Sequence, residues 1–140
     1  MSEQRTLAII KPDVVEMRKQ GVVLSRILDE GFRVLAMRQV QLSRAEVEGF
    51  YAEHQGKYFF DRLCEFMTSG PVVVLALSRQ DAVAHWRQVL GATDPEEAAE
   101  GTIRKQFGEK TSRNAGHGSD SEESGARECA YFFSGTELLG

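Results

Sequence analysis

Apolar residues come in two rhythms along this chain. The run "TLAII" at 6–10 is compact and ends at Lys11-Pro12; proline cannot donate to a ladder, so a strand is predicted to stop there with Lys11 at its tip. From Gly21 to Gly31 the rhythm changes, with Val23, Leu24, Ile27 and Leu28 recurring at helical spacing and Gly31 suited to the position just past a helix end. Residues 32–42, "FRVLAMRQVQL", are rich in β-tolerant side chains and predict a strand crossing back over that helix.

Ser43 and Glu46 have the spacing of a capping box, followed by Val47, Phe50, Tyr51 and His54 on one helical stripe. The stretch "KYFFDRLCEFM" continues helically through Leu63, Phe66 and Met67 until "SGP" at 69–71 interrupts it. "VVVLAL" at 72–77 is the clearest buried strand. Asp81 is placed to cap a helix in which Val83, Trp86 and Leu90 share a face, with Arg87 one position beyond Trp86 and Gly91 closing it. Residues 91–120 are polar and glycine-punctuated, too long a loop for mere connection. Ala126, Cys129, Ala130 and Phe133 then mark a last amphipathic helix, with Glu128 off the apolar stripe.

This order predicts one α+β domain over 1–140, a sandwich with one sheet and helices on a face. A ferredoxin-like β-α-β-β-α-β core fits, a four-stranded antiparallel sheet whose fourth strand reaches into 113–117.

The net charge of −4 argues against holding nucleic acid by general electrostatic attraction, so any phosphate site must be local. Cys64 and Cys129 form no CxxC pair and no framework, and reduced thiols are expected. The apolar stretch near the amino terminus is too brief for a signal segment or a membrane span, and a soluble cytoplasmic protein is expected.

Candidate chemistry centres on "NAGHGSD", residues 114–120, where His117 stands between two glycines. Glycine removes bulk and permits positive φ, which opens the histidine to a ligand; a loop histidine satisfied by local hydrogen bonds fits the same residues. Arg104, Lys105, Lys110 and Arg113 gather basic charge just ahead of it, either an anion site or a solvated charge run. His54, His85 and His117 lack zinc-site spacing. Ser119 and Asp120 are too close to His117 for an assumed hydrolase triad, and there is neither a G-x-S-x-G elbow nor a Walker A loop.

Four segments together carry more. "TLAIIKPD", "FYAEHQGKYFFDRLCEFMTSGPVVVLAL", "LGATDPEEAAEGTIR" and "RNAGHGSDSEESGARECAYFF" resemble the nucleoside diphosphate kinases, in order and over about the whole chain. The resemblance implies transfer of the γ-phosphate of a nucleoside triphosphate, typically ATP, to a nucleoside diphosphate, through a phosphohistidine on His117. It implies that Glu128 holds the other ring nitrogen, with Ser119 in the same network. It further implies that Arg87, Thr93 and Arg104 hold phosphates, that Lys11 and Asn114 reach sugar hydroxyls and phosphate, and that Tyr51 lines the pocket. Phe59 would stack on the base with Leu63 beside it, and a π-face accepts any base. Mg2+ is expected through the nucleotide phosphates rather than in a protein cage.

The chain departs from the family's usual pattern at Lys105-Gln106, where Gly-Asp is common, at Ala115-Gly116, at Glu100 and at Val14. Gly116 is expected to loosen the fourth strand. A homo-oligomer is implied; because the chain ends at Gly140 without the carboxyl-terminal extension of hexameric members, a dimer-based tetramer is expected, with a dimer as alternative. The rival readings are a non-catalytic nucleotide-binding protein of the same fold and a nucleic-acid-binding regulator. Retention of His117, Lys11 and the phosphate arginines argues against the first, the acidic balance against the second.

Overall fold

The computed structural model describes residues 3–139. Strands β1 (Glu3–Ile10), β2 (Arg33–Val40), β3 (Val72–Gln80) and β4 (Gly116–Gly118) form one sheet in the order β2-β3-β1-β4, every neighbouring pair antiparallel. Between them lie α1 (Pro12–Glu16), α2 (Gln20–Asp29), α3 (Arg44–Phe50), α4 (Phe60–Met67), α5 (Ala82–Leu90) and α6 (Ile103–Phe107), and α7 (Glu122–Phe132) follows β4. This is the ferredoxin-like α+β arrangement.

The helices cover both faces, not one. Leu7, Ile9, Val74 and Ala76 pack with Val47 of α3, Cys64 and Met67 of α4 and Cys129 of α7. Ala8, Ile10, Val73, Leu75 and Leu77 pack with Val23 and Ile27 of α2 and Trp86 and Leu90 of α5. Successive strand residues point to opposite faces, so two cores demand an unbroken apolar run, and Leu7–Ile10 and Val72–Leu77 are buried without interruption.

Local signals fixed some boundaries and misled at others. The Ser43 hydroxyl accepts from Glu46 N–H at 3.1 Å while the Glu46 carboxylate accepts from Ser43 N–H at 2.9 Å, so the capping box is formed. The helix it starts does not run on to Met67. It leaves α-geometry at Tyr51, passes through a 3-10 turn at Ala52–His54, and breaks at Gly56, whose φ of +87° no helix accommodates. Asp81 stands at the start of α5 but makes no cap bond, because its left-handed backbone (φ +52°) departs from the extended conformation a cap requires.

Residues 91–120 are not all loop: Thr102 accepts from Lys105 N–H at 3.3 Å and starts α6. The fourth strand is only Gly116–Gly118, beginning later than position 113. On α7 the buried positions include Ser124, Gly125, Glu128 and Cys129, while Ala126 and Ala130 are exposed. The cause is Gly125, where a Cβ would overlap the Arg5 carbonyl oxygen; that side of the helix must face β1. Among the described residues no helix is long and apolar enough to cross a membrane.

Candidate active site

His117 lies at the centre of β4, opposite Ile9 of β1, and shares the face covered by α3 and α7. Its flanking glycines answer to the other face. A Cβ on Gly116 would lie 2.7 Å from Leu90 Cδ2, and one on Gly118 would lie 2.7 Å from Trp86 Cδ1. Neither glycine has a positive φ; that conformation falls on Ala115, at +73°. Glycine is therefore required at both positions by the close approach of α5. Trp86 Nε1–H also donates to the His117 carbonyl at 2.9 Å.

The imidazole is held on its Nε2 side. Nε2 lies 2.9 Å from Glu128 Oε1, which also accepts from Ser119 Oγ–H at 2.7 Å, and Ser119 Oγ in turn accepts from Leu7 N–H at 3.0 Å. An ionised carboxylate only accepts, so Nε2 carries the proton and Nδ1 keeps its lone pair. The side chain of His117 is 16% exposed and that of Glu128 only 7%. Burial lowers the histidine pKa below its ordinary value, against the hydrogen bond and charge of Glu128, and Lys11 and Arg104 push the same way as burial. The ring is neutral at pH 7. Phe50 and Tyr51 meet it edge-on at 5.2 and 5.9 Å between centroids.

Positive charge lies beside this pair. Lys11, buried at the end of β1, donates from Nζ to Asn114 Oδ1 at 2.8 Å; burial and the Arg104 charge lower its pKa to about 8. Asn114 Nδ2 donates to the Thr93 carbonyl at 3.2 Å. Arg104 donates to the carbonyls of Asn114, Gly91 and Gly116 at 3.3, 2.9 and 2.9 Å, and burial together with Arg87 lowers its pKa to about 10. Arg87, Thr93 and Arg104 line a cleft of about 350 Å³ with Ala84, Gln88 and Gly91. Arg104 thus ties α6 to two backbone segments, at Gly91 and at Asn114–Gly116, besides facing the cleft.

Phe59 and Leu63 stand further out. Tyr51 stacks on His54 at 6.0 Å and His54 meets Phe59 at 5.3 Å, so a file of rings leads from His117 to Phe59. Leu63 is half-buried against the α3–α4 core. The Tyr51 hydroxyl is buried with no hydrogen-bond partner among the described residues.

Three neighbours were not singled out as site residues in the sequence. Trp86 and Phe50 read only as members of apolar stripes. Asp13 is 3% exposed, with Oδ1 accepting from Val14 N–H and Oδ2 from Ala115 N–H, both at 3.0 Å. A proline followed by aspartate at a helix's first turn was the available signal. Among the described residues no three His, Cys, Asp or Glu cluster as a metal site.

Fold and site together define an α+β protein in which a half-buried histidine meets a buried carboxylate beside a cationic cleft. The family model described as nucleoside diphosphate kinase matches residues 4–138. A nucleoside diphosphate kinase of Sorangium cellulosum is 54% identical over 138 residues, 99% of this chain and 96% of that protein, and one of Salinibacter ruber is 51% identical over 139 residues, 99% of this chain and 98% of the other. The solved nucleoside diphosphate kinase of Aquifex aeolicus superposes with a TM-score of 0.96 at 41% identity, covering 99% of this chain and all of that one. That of Halobacterium salinarum, solved in complex with CDP, gives 0.94 at 37% identity, covering 99% and 93%. The chain belongs to the nucleoside diphosphate kinase family, and is a nucleotide-binding phosphotransferase.

Proposed function

We propose that this enzyme carries a phosphoryl group between nucleotides on His117 Nδ1. The lone pair of Nδ1 attacks the γ-phosphorus of a nucleoside triphosphate, the bond from that phosphorus to the β–γ bridging oxygen breaks, and a nucleoside diphosphate leaves with the electron pair. A second nucleoside diphosphate then attacks the phosphohistidine through a terminal β-phosphate oxygen, and Nδ1 regains its lone pair. The observation that carries this reading is the Nε2–Glu128 contact of 2.9 Å on a neutral ring, which fixes the tautomer and opposes the positive charge that develops on the imidazole.

Positioning and charge neutralisation are the remaining work of phosphoryl transfer. Arg87, Thr93 and Arg104, which share the cleft, take the phosphates. Lys11 and Asn114 reach sugar and phosphate oxygens, and the unpartnered Tyr51 hydroxyl donates toward the transferring group. Phe59 offers its ring to the base with Leu63 alongside, which supports broad base acceptance. The two cleft arginines offset only part of the charge of a nucleoside triphosphate, and Mg2+ bound through the nucleotide phosphates would offset the rest. Self-association as a homo-oligomer, a dimer-based tetramer or a dimer, is supported by the position of β2 at the sheet edge, where Met37 is exposed, and by exposed Val22 and Leu28 of α2.

The test is to mix the protein with ATP and magnesium and no acceptor. One phosphate per chain should appear by intact mass, labile in acid and stable in base, and any nucleoside diphosphate should remove it to give the matching triphosphate. His117→Ala should take up none, while Ser119→Ala should still label and turn over more slowly. Label that persists in His117→Ala, or that resists acid, overturns the reading.

A further inference from the structure

We propose that Asp13 is a positioning residue for the transfer, its buried carboxylate pinning the Asn114–Gly116 turn that both delivers His117 and seats the Lys11 ammonium. The first half rests on geometry. Ala115 has φ +73°, a conformation that a residue with a Cβ adopts only at a cost of roughly 1 kcal/mol or more. Around it the Asn114 carbonyl accepts from Gly116 N–H at 2.8 Å, closing a tight three-residue turn of a rare, strained kind. That turn feeds straight into β4, two residues from the imidazole.

One short segment holds it from both sides. Lys11 N–H donates to the Ala115 carbonyl at 2.9 Å, and Asp13 Oδ2 accepts from Ala115 N–H at 3.0 Å. The other oxygen, Oδ1, is occupied by Val14 N–H at 3.0 Å. A carboxylate answers two N–H groups with two acceptors, whereas an asparagine would have to turn an NH2 group toward one of them.

The second half concerns Lys11, whose Nζ donates to the uncharged Asn114 amide. The groups that act on its charge are Arg104 of α6, which opposes it, and Asp13 of α1, which favours it; His117 of β4 also feels the Lys11 charge, and Arg113 acts on Asp13. Burial, then Arg104, hold the lysine at about 8, with Asp13 pulling the other way. Without that carboxylate the ammonium would lose its proton at a lower pH still.

The inference rests on the reading of Lys11 as a phosphate contact, and its test keeps the two apart. The rate of phosphohistidine formation from magnesium ATP, with kcat and KM for the full reaction, is followed between pH 6 and 10, in the unsubstituted protein and in Asp13→Asn. The unsubstituted kcat/KM, which reports the free protein, should fall as pH rises through about 8. In Asp13→Asn that fall should begin about one pH unit lower, with kcat reduced about tenfold below it and KM there within threefold. In the Lys11→Arg background, where the cation stays charged, removing Asp13 should shift no basic limb. Asp13→Ser, which keeps an acceptor in the first turn, is read the same way should Asp13→Asn not fold. A basic limb that stays in place while the rate drops equally at every pH overturns the proposal. Failure of the unsubstituted protein to label at any pH overturns the phosphohistidine reading instead.

Discussion

Gly118→Ala puts a methyl group where Trp86 already is. The added Cβ would lie 2.7 Å from Trp86 Cδ1, 3.2 Å from Nε1 and 3.3 Å from Leu90 Cδ1, against an ordinary carbon–carbon separation of about 3.5–4.0 Å. The indole must retreat by about 1 Å. Trp86 is fully buried, so its retreat strains its neighbours and stretches its 2.9 Å bond to the His117 carbonyl. Overpacking costs roughly 1–3 kcal/mol and a lost hydrogen bond about 1. The reduced freedom of the unfolded chain returns roughly 0.4–1 kcal/mol, because φ at this position is not positive. The net loss is about 2 kcal/mol.

For 140 residues the entropy of unfolding makes each kcal/mol worth about 3–4 °C, so Tm should fall by about 7 °C. Gly21→Ala is the reference: it lies in α2 with nothing within 4 Å of the added Cβ. It should gain roughly 0.5–1 kcal/mol from better helix propensity and melt about 2–3 °C higher. Thermal unfolding by circular dichroism reads both. Trp86 is the single tryptophan, so its emission reports the displaced ring directly. A Gly118→Ala protein that melts at or above the unsubstituted protein, with unchanged emission, would refute the packing account of the glycine pair.

The two cleft arginines should separate. Arg87→Ala should lower kcat/KM by one to two decades, from roughly 1.5–3 kcal/mol of charge-assisted bonding, with little change in Tm. Arg104→Ala should lose comparable activity and also about 3 kcal/mol of stability, from the three carbonyls it leaves behind. Steady-state kinetics beside thermal melts decide it, and equal Tm values for the two would contradict the structural role of Arg104. Glu128→Gln keeps the shape but removes the charge opposite Nε2, so phosphohistidine formation by quench-flow should slow ten- to a hundredfold; a change under twofold would remove Glu128 from the mechanism.

How much of this was legible depended on the range of the signal. The Ser43–Glu46 box could be read because both partners lie within one turn. The break at Gly56 could not be seen in the apolar stripe, since Tyr51 and His54 keep helical spacing while the backbone has already left the helix. Coverage of both sheet faces was written in the unbroken apolar runs of β1 and β3. The histidine, its carboxylate and the basic residues were reached through the register of several motifs. Local pattern alone left His117 open and put Glu128 on the wrong side of α7. The glycines beside His117 were misread because their cause, Trp86 and Leu90, lies on another element. Asp13 escaped for the same reason: its second partner, Ala115, is far away in sequence.

The sheet order carries a consequence for synthesis. β1 precedes the other three described strands in the chain, yet it is paired on one side by β3 and on the other by β4, the last of the four. Lys11 directly follows β1 and His117 sits in β4, held by Glu128 from the helix after it. A nascent chain on the ribosome can therefore settle its β1–β3 pairing and the α2 and α5 packing well before any chemistry is assembled. The His117–Glu128 contact forms only once β4 and α7 have both been made, so a chain stopped before β4 carries the cleft residues Arg87, Thr93 and Arg104 without the histidine beside them.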